Sequence, residues 1–322
     1  MPLHPPVEPY DSGTLHTDDG QSIHWETSGN PDGRPALFVH GGPGGTPGPG
    51  SRRYFDPERY RLVLFHQRGC GRSLPSAGDP AVDLGRTNTT QHLITDIERL
   101  RELLSVPSWT VLGVSWGATL ALAYAEALPE RVDALVLAAV TNTSEREVRW
   151  ITEDMARIFP AEWARLDEAV PDRHRRDRVV DSYAEMLADP DPAVRELAAR
   201  EWCRWEDTHV SLAPGHQPSP RYEDPDFRQV FARLVTHYWR HAAFLPDGQL
   251  LRDAPVLDGI PGVLIHGRYD VSGPLDIAWN LHRRWATSEL HVIEDAGHGG
   301  TSGFDDAIVE ALDRLARLPR HH

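Results

Sequence analysis

The sequence has little of what secreted and membrane proteins depend on. Only two of its 322 residues are cysteine, Cys70 and Cys203. Two thiols do not make a disulfide framework, and they favour a reducing compartment. The apolar runs all fall short of the roughly 18 residues that a membrane span needs. The first residues, MPLHPPVEPYDSG, have neither a basic segment nor an apolar stretch, so no secretory signal is predicted. We therefore expect a cytoplasmic protein that binds no membrane.

Positive charge is also scarce. Asp and Glu number 48 against 33 Lys and Arg, which gives a formal net charge of −15. Such a surface repels phosphate groups and disfavours nucleic acids and anionic membranes as partners. No His-Glu-x-x-His motif and no Cys/His pair at zinc spacing appears, so we expect no metal.

Short apolar runs alternate with helical patterns along most of the chain. The runs at 36–42, 110–117 and 262–268 are aliphatic and stop at glycine, as buried parallel strands do. Apolar residues between 93 and 104 recur every three or four positions, which is typical of a helix with one buried face. This alternation predicts an α/β protein with a mostly parallel sheet flanked by helices.

The alternation breaks in the middle of the chain. Between about 142 and 252 no strand pattern is convincing, and helical runs such as 192–207 replace it. We therefore predict an inserted all-helical cap over residues 142–252. Residues 1–141 and 253–322 then form the two parts of one sheet domain.

A nucleophile motif follows one of the predicted strands. Residues 113–117 read Gly-Val-Ser-Trp-Gly, a G-x-S-x-G pattern between an apolar strand and an alanine-rich helix. In the α/β-hydrolase fold, such a turn presents its serine hydroxyl at the carboxyl edge of the sheet. The alternative is a glycine-rich turn whose serine only caps the helix. The strand and helix on either side favour Ser115 as a nucleophile.

A serine nucleophile needs a histidine base and an acid that orients the histidine. In this fold the acid and then the histidine follow the serine along the chain. Asp270 follows the strand at 262–268 and His298 follows the next strand, so both are predicted at the same sheet edge. Asp295 is the rival acid, but it lies too near His298 in sequence to be the favoured partner.

A glycine-rich loop, His-Gly-Gly-Pro-Gly-Gly at 40–45, follows the first long parallel strand. Its backbone N–H groups can stabilise an oxyanion together with the N–H after the serine. We predict Gly42 and Trp116 as these donors, and which glycine of the loop donates stays open. The alternative is a merely flexible turn.

Several motifs resemble those of the proline iminopeptidase (prolyl aminopeptidase) family over about residues 10–315. In order, they are HGGPGG (40–45), QRGCGRS (67–73), NTTQHLITDIERLR (88–101), SWGATLALAYAEALPERV (115–132), W-x-x-W-E (202–206), HGRYD (266–270) and DAGH (295–298). The resemblance implies an α/β-hydrolase core with a helical cap, neither metal nor cofactor, and removal of an N-terminal residue from small peptides.

The resemblance also implies that carboxylates of the cap bind the free α-amine of the substrate. Glu206 matches one of them; the alternative is a solvated helix glutamate. Three positions depart from the family pattern: Val235 replaces a second glutamate, an aromatic residue is missing near Thr141, and His66 replaces an acid. These departures predict an open, more polar pocket with weak preference for proline over alanine.

Together these residues predict a serine hydrolase that removes an N-terminal amino acid from small peptides or amides through an acyl-enzyme. Proline or a small residue such as alanine is the expected N-terminal residue. Two alternatives stay open. One is a biosynthetic amidase or esterase that cleaves an aminoacyl group from a non-peptide small molecule. The other is a non-catalytic small-molecule receptor on a hydrolase fold. The oligomeric state is not indicated.

Overall fold

A sheet of eight strands forms the centre of the chain over the residues that the computed structural model describes, 2–210, 212 and 217–318. The strands are β1 (Pro9–His16), β2 (Ser22–Gly29), β3 (Arg34–Val39), β4 (Tyr60–Phe65), β5 (Trp109–Val114), β6 (Val132–Ala138), β7 (Gly262–Gly267) and β8 (Ser288–Ile293). Their order is β1-β2-β4-β3-β5-β6-β7-β8. Strands β1 and β2 are antiparallel to their neighbours, and the other six are parallel. The predicted α/β fold with a mostly parallel sheet is confirmed.

Helices connect the strands and cover the sheet. They are α1 (Pro49–Arg52), α2 (Leu84–Thr87), α3 (Thr90–Leu103), α4 (Trp116–Ala127), α5 (Glu145–Thr152), α6 (Pro160–Glu168), α7 (Val179–Leu187), α8 (Pro192–His209), α9 (Pro225–Arg240), α10 (Gln249–Asp253), α11 (Asp276–His282) and α12 (Ser302–Leu315). Short 3-10 turns lie at Pro129–Arg131, Asp154–Arg157, Asp172–His174, Pro220–Glu223, Ala242–Phe244 and Ala254–Leu257. None of the helices in the described ranges is long and apolar enough to cross a bilayer.

Successive residues of a strand point to opposite faces of the sheet, and both faces of this sheet are buried. On β3, Leu37 and Val39 join an apolar cluster that includes residues of α3 and α4. Ala36 and Phe38 of the same strand join a second cluster that includes residues of α12. The aliphatic runs of the sequence are therefore strands covered on two sides.

Helices α5–α10 all lie between β6 and β7, in the part of the chain predicted as the cap. Both α8 and α9 begin at an Asp-Pro pair. The Asp191 carboxylate accepts the N–H of Ala193 (2.8 Å), and the Asp224 carboxylate accepts that of Asp226 (2.9 Å). An aspartate cap followed by proline is a strong helix start, and α8 begins where the helical run predicted at 192–207 begins.

A buried ion pair fixes the loop that follows β4. The Arg68 guanidinium donates two hydrogen bonds to the Asp96 carboxylate of α3, with N–O distances of 2.5 and 2.7 Å. The two side chains are 3% and 1% exposed. Arg68 also donates to the Thr87 carbonyl oxygen and to the partly exposed Asp19. The loop carrying residues 67–70 is therefore anchored to a helix on one face of the sheet.

We expect Asp96→Ala to lower the free energy of unfolding by about 3–5 kcal/mol, because it leaves a buried guanidinium without its main partner. Equilibrium urea denaturation measures this loss. The matched control is Glu289→Ala, which removes the partner of Arg314 from a pair that is half exposed on both sides. Such a surface pair contributes about 1 kcal/mol or less. Equal losses in the two variants would contradict the structural role assigned to Asp96.

Candidate active site

Ser115 lies at a strained turn between β5 and α4. Its backbone has φ 57° and ψ −124°, a conformation that non-glycine residues rarely adopt. Its N–H donates to the Ala138 carbonyl oxygen of β6 (2.9 Å). Glycine is required two residues later, because a Cβ on Gly117 would lie 2.0 Å from the Val39 carbonyl oxygen. This turn holds the Ser115 hydroxyl at the carboxyl edge of the sheet.

The structure brings Ser115, His298 and Asp270 into one hydrogen-bonded chain. The Ser115 hydroxyl lies 2.8 Å from Nε2 of His298, and Nδ1 of His298 lies 2.8 Å from Oδ2 of Asp270. The other Asp270 oxygen accepts the N–H of Gly273 (2.9 Å). Asp270 follows β7 and His298 follows β8, so adjacent parallel strands deliver both. The rival acid Asp295 is exposed at the surface.

The electrostatic interactions between these residues favour an ionised Asp270 beside a His298 that readily accepts a proton. Burial alone would raise the pKa of Asp270, but the charge of His298 and their hydrogen bond lower it below its usual value. Burial alone would lower the pKa of His298, but the charge of Asp270, their hydrogen bond and the charge of Glu206 raise it. Asp270 therefore accepts the Nδ1 proton, and Nε2 of neutral His298 is left to accept a proton from Ser115.

The two predicted oxyanion donors line the same cavity as Ser115. Trp116 is the first residue of α4, so its backbone N–H has no partner within the helix. Gly42 belongs to the loop after β3. The loop approaches the nucleophile closely at Gly41, where a Cβ would lie 3.1 Å from that of Ser115. The oxyanion role of the Gly42 and Trp116 N–H groups stays a prediction, and their place beside Ser115 in the cavity lining is consistent with it.

Gln67 connects these two backbone segments, and sequence reasoning did not assign it a role. Its side-chain amide donates to the His40 carbonyl oxygen (2.8 Å), and its oxygen accepts the indole N–H of Trp116 (2.9 Å). Its backbone N–H donates to Nε2 of His40 (3.0 Å). The signal for Gln67 was the QRGCGRS motif, which follows β4 at the same sheet edge. Gln67 thus fixes the loop after β3 against the start of α4.

A cavity lies above Ser115. Its lining residues come from the sheet edge and from the helical insertion: Gly42, Ser115, Trp116, Thr141, Thr143, Glu147, Val148, Ile151, Glu206, His209, Val210, Arg221, Phe231, Trp239, Ser272 and His298. Four of them, Val148, Ile151, Phe231 and Trp239, form an apolar wall. Helices α5 and α9 supply this wall, but Thr141, Glu147 and Arg221 line the same cavity, so the expectation of a more polar pocket stays a prediction.

The three positions that depart from the family pattern have different surroundings. Thr141 lines the cavity, and its hydroxyl donates to the Ser115 carbonyl oxygen (2.9 Å). Val235 is fully buried within α9, and His66 is buried beneath the cavity loops, where its Nδ1 accepts the N–H of Arg72 (3.0 Å). Neither Val235 nor His66 is among the lining residues. Of the three, only Thr141 can contact a substrate directly.

Glu206 lies on α8 and faces the cavity, 5% exposed. One carboxylate oxygen accepts the indole N–H of Trp202 (3.1 Å). Burial raises the pKa of Glu206 to about 7, although the charges of Arg221 and His298 oppose this rise. Arg221, which sequence reasoning also missed, lies at the cavity over the rings of Tyr222 and Phe231. A cationic group that entered the cavity would favour the ionised form of Glu206.

The cysteines are not alternative nucleophiles. Cys70 and Cys203 are buried and unpaired. Burial raises the pKa of Cys70 to about 12 and that of Cys203 further, so neither forms a thiolate readily at neutral pH. Over the described ranges, no group of three His, Cys, Asp or Glu side chains is arranged to hold a metal ion.

The comparison with protein families identifies the class to which this fold and site belong. Residues 35–300 match the family model described as alpha/beta hydrolase fold. The solved structure of a proline iminopeptidase from Mycobacterium smegmatis superimposes with a TM-score of 0.60. The match covers 95% of this chain and 99% of that one at 19% identity, which is evidence for the fold alone. The protein is a hydrolase of the α/β-hydrolase fold.

Curated relatives identify the family within that class. The probable proline iminopeptidase of Streptomyces coelicolor is 48% identical, over 98% of this chain and 98% of its own. The proline iminopeptidase of Arabidopsis thaliana is 40% identical, over 98% of this chain and 82% of its own. The chain belongs to the proline iminopeptidase family. The resemblance that the sequence motifs indicated is thereby confirmed.

The charge of Glu206 raises the pKa of His298, so Glu206→Gln should lower it. A base must be neutral to act, and kcat/KM of the free enzyme rises with pH through the pKa of its base. We expect the acidic limb of kcat/KM to move to lower pH in this variant. The substrate is a p-nitrophenyl ester without an amine, whose binding does not require Glu206.

The control for this pH profile is Glu196→Gln, which removes a half-exposed carboxylate from the same helix, α8. Its acidic limb should coincide with that of the wild type. An unchanged limb in Glu206→Gln, or one at higher pH, would show that the carboxylate does not act on the base.

Proposed function

We propose that this protein removes an N-terminal residue, proline or a small residue such as alanine, from small peptides and amides through an acyl-enzyme. The observation that carries this proposal is the pair of 2.8 Å hydrogen bonds that links Ser115, His298 and Asp270 at the edge of the cavity. The proline iminopeptidases among the curated relatives support the choice of an N-terminal residue. We propose these three side chains as the catalytic residues.

Attack by Ser115 begins the reaction. The hydroxyl oxygen bonds to the carbonyl carbon of the substrate while its proton passes to Nε2 of His298. The negative charge that develops on the carbonyl oxygen is stabilised by the N–H groups of Gly42 and Trp116. His298 then gives the proton to the leaving amine, and the C–N bond breaks. Water attacks the acyl-enzyme in the same way, with His298 again as the base, and releases the free amino acid.

We propose that Glu206 binds the protonated amine of the substrate and that the apolar wall contacts its side chain. A buried carboxylate beside an ammonium gains a charge-assisted hydrogen bond, and Arg221 helps to keep it ionised. The apolar wall suits a pyrrolidine ring better than a methyl group. Proline should therefore be preferred over alanine.

We propose that residues 142–252 act as a cap on a core formed by residues 1–141 and 253–322. Helices from this stretch supply Glu206, Phe231 and Trp239 to the cavity. The Val210 carbonyl oxygen accepts the backbone N–H of His298 (3.2 Å). A cap in this position admits small peptides and excludes folded proteins. Two unpaired cysteines fit a reducing compartment, and we propose a cytoplasmic location.

Ser115→Ala should lower kcat by about 10⁶-fold without unfolding the protein, since it removes the attacking atom. Hydrolysis of an aminoacyl p-nitroanilide measures the rate, and circular dichroism measures folding. Wild-type protein should react with a fluorophosphonate probe and the variant should not. A residual rate above about a hundredth of wild type would contradict the assignment of Ser115, and a wild type that does not label would favour the receptor alternative.

Prolyl p-nitroanilide should be cleaved with a kcat/KM about 10- to 200-fold above that of the alanyl compound, the range that a few methylenes discriminate in an apolar pocket. N-acetylprolyl p-nitroanilide is the control, because acetylation removes the charged amine and keeps the ring. Loss of a charge-assisted hydrogen bond should lower kcat/KM for the acetylated compound by about 10- to 150-fold or more. Equal rates for the free and acetylated compounds would contradict amine recognition.

A further inference from the structure

His209 is a second polar side chain that faces the cavity from α8, one helical turn after Glu206. It is 1% exposed and lines the cavity. Its Nδ1 lies 2.7 Å from the Ser272 hydroxyl oxygen. Its Nε2 is buried and has no hydrogen-bond partner among the described residues. The Oε2 atom of Glu206 is 3.6 Å from Nε2, which is beyond hydrogen-bond distance.

The hydrogen bonds of Ser272 determine which nitrogen of His209 carries the proton. The Ser272 hydroxyl donates to the His209 carbonyl oxygen (2.8 Å), and a hydroxyl has only one proton. Nδ1 of His209 must therefore donate to the Ser272 oxygen. Burial and, to a smaller extent, the charge of His298 lower the pKa of His209 to about 3, so the ring is neutral at physiological pH. Nε2 then has a lone pair and no proton.

When Glu206 is ionised, two acceptors thus lie 3.6 Å apart at the cavity wall, Oε2 of Glu206 and Nε2 of His209. A buried acceptor without a donor is unfavourable, and two facing acceptors need a donor between them. We propose that His209 Nε2 accepts an N–H of the substrate's N-terminal ammonium, next to the one that Glu206 accepts. This inference rests on the proposed function, since it assigns a second amine-binding residue to the same site.

The number of acceptors also defines the favoured amine. The secondary ammonium of an N-terminal proline has two N–H groups, and Glu206 and His209 accept one each. A primary ammonium has three, so one donor is left for water or for a carbonyl group. The pair therefore suits N-terminal imino acids in particular, and it acts together with the apolar wall that contacts the ring.

Two substitutions distinguish the role of Nε2 of His209 from that of the hydrogen bond between its Nδ1 and Ser272. In His209→Asn, the side-chain amide can still donate to Ser272, but nothing replaces Nε2. In His209→Gln, the longer side chain can place its amide oxygen near the former position of Nε2. The substrates are prolyl p-nitroanilide and the p-nitrophenyl ester of cyclopentanecarboxylic acid, which has a similar ring and no amine.

We expect His209→Asn to lower kcat/KM for the prolyl substrate by about 10- to 150-fold, mainly through KM, since a hydrogen bond to a charged group is lost. Hydrolysis of the ester should change less than twofold. His209→Gln should recover part of the loss on the prolyl substrate. Thermal denaturation checks that both variants fold.

Equal losses on the two substrates would overturn the inference, because His209 would then only support the catalytic residues. No loss on the prolyl substrate would overturn it too. The proposed function fails in a different way, since wild-type protein would then hydrolyse the ester and leave the prolyl substrate intact. If His209→Asn does not fold, His209→Gln and His209→Leu form the pair, and the inference requires that Leu lose the prolyl activity selectively.

Discussion

The strained turn at Ser115 is the constraint on which the site depends. Its conformation is maintained by two neighbours: β6, which accepts its N–H, and β3, against which Gly117 packs. Because β3, β5, β7 and β8 are parallel, their carboxyl ends meet at one edge of the sheet. The loops after them then supply the proposed oxyanion donors, nucleophile, acid and base. A local strain of a few kcal/mol is tolerable because the whole sheet enforces it.

Helix α8 connects the proposed amine-binding residues to the proposed base. Its last turn carries Glu206 and His209 into the cavity, and the next residue, Val210, accepts the backbone N–H of His298. The His209 carbonyl also accepts the hydroxyl of Ser272, in the loop that carries Asp270. The residues that would bind the amine therefore touch the elements that hold the acid and the base. An ammonium that neutralises Glu206 also removes a charge that raises the pKa of His298, so amine binding favours the neutral, active form of the base.

Local patterns in the sequence predicted the fold and the positions of the catalytic candidates. Ser115, Asp270 and His298 each follow an aliphatic run, and the direction of parallel strands is enough to bring such residues to one edge. The character of the pocket could not be predicted in this way. The sequence at Val235 suggested that a polar contact with the substrate was lost. Val235 is a buried residue of α9 that does not line the cavity, whereas Phe231 of the same helix does. Which face of a cap helix meets the core depends on packing between distant segments. The position of His209 could be predicted in part from the sequence, because a spacing of three residues places it on the same face of a helix as Glu206.

With the proposed function, the cavity would discriminate between acyl groups by two effects of different strength. An apolar wall gains only about 1–3 kcal/mol from a few additional methylenes, so it ranks proline above alanine without excluding alanine. The buried acceptors would discriminate more strongly than the wall, because an acyl group without an amine leaves Glu206 and His209 desolvated and unpaired. The amine should therefore be close to obligatory for efficient hydrolysis, and the ring only preferred. A peptidase and an amidase acting on an aminoacyl small molecule both meet these two conditions, since they differ in the leaving group alone. The family relatives favour the peptidase. A comparison of substrates with different leaving groups would distinguish the two.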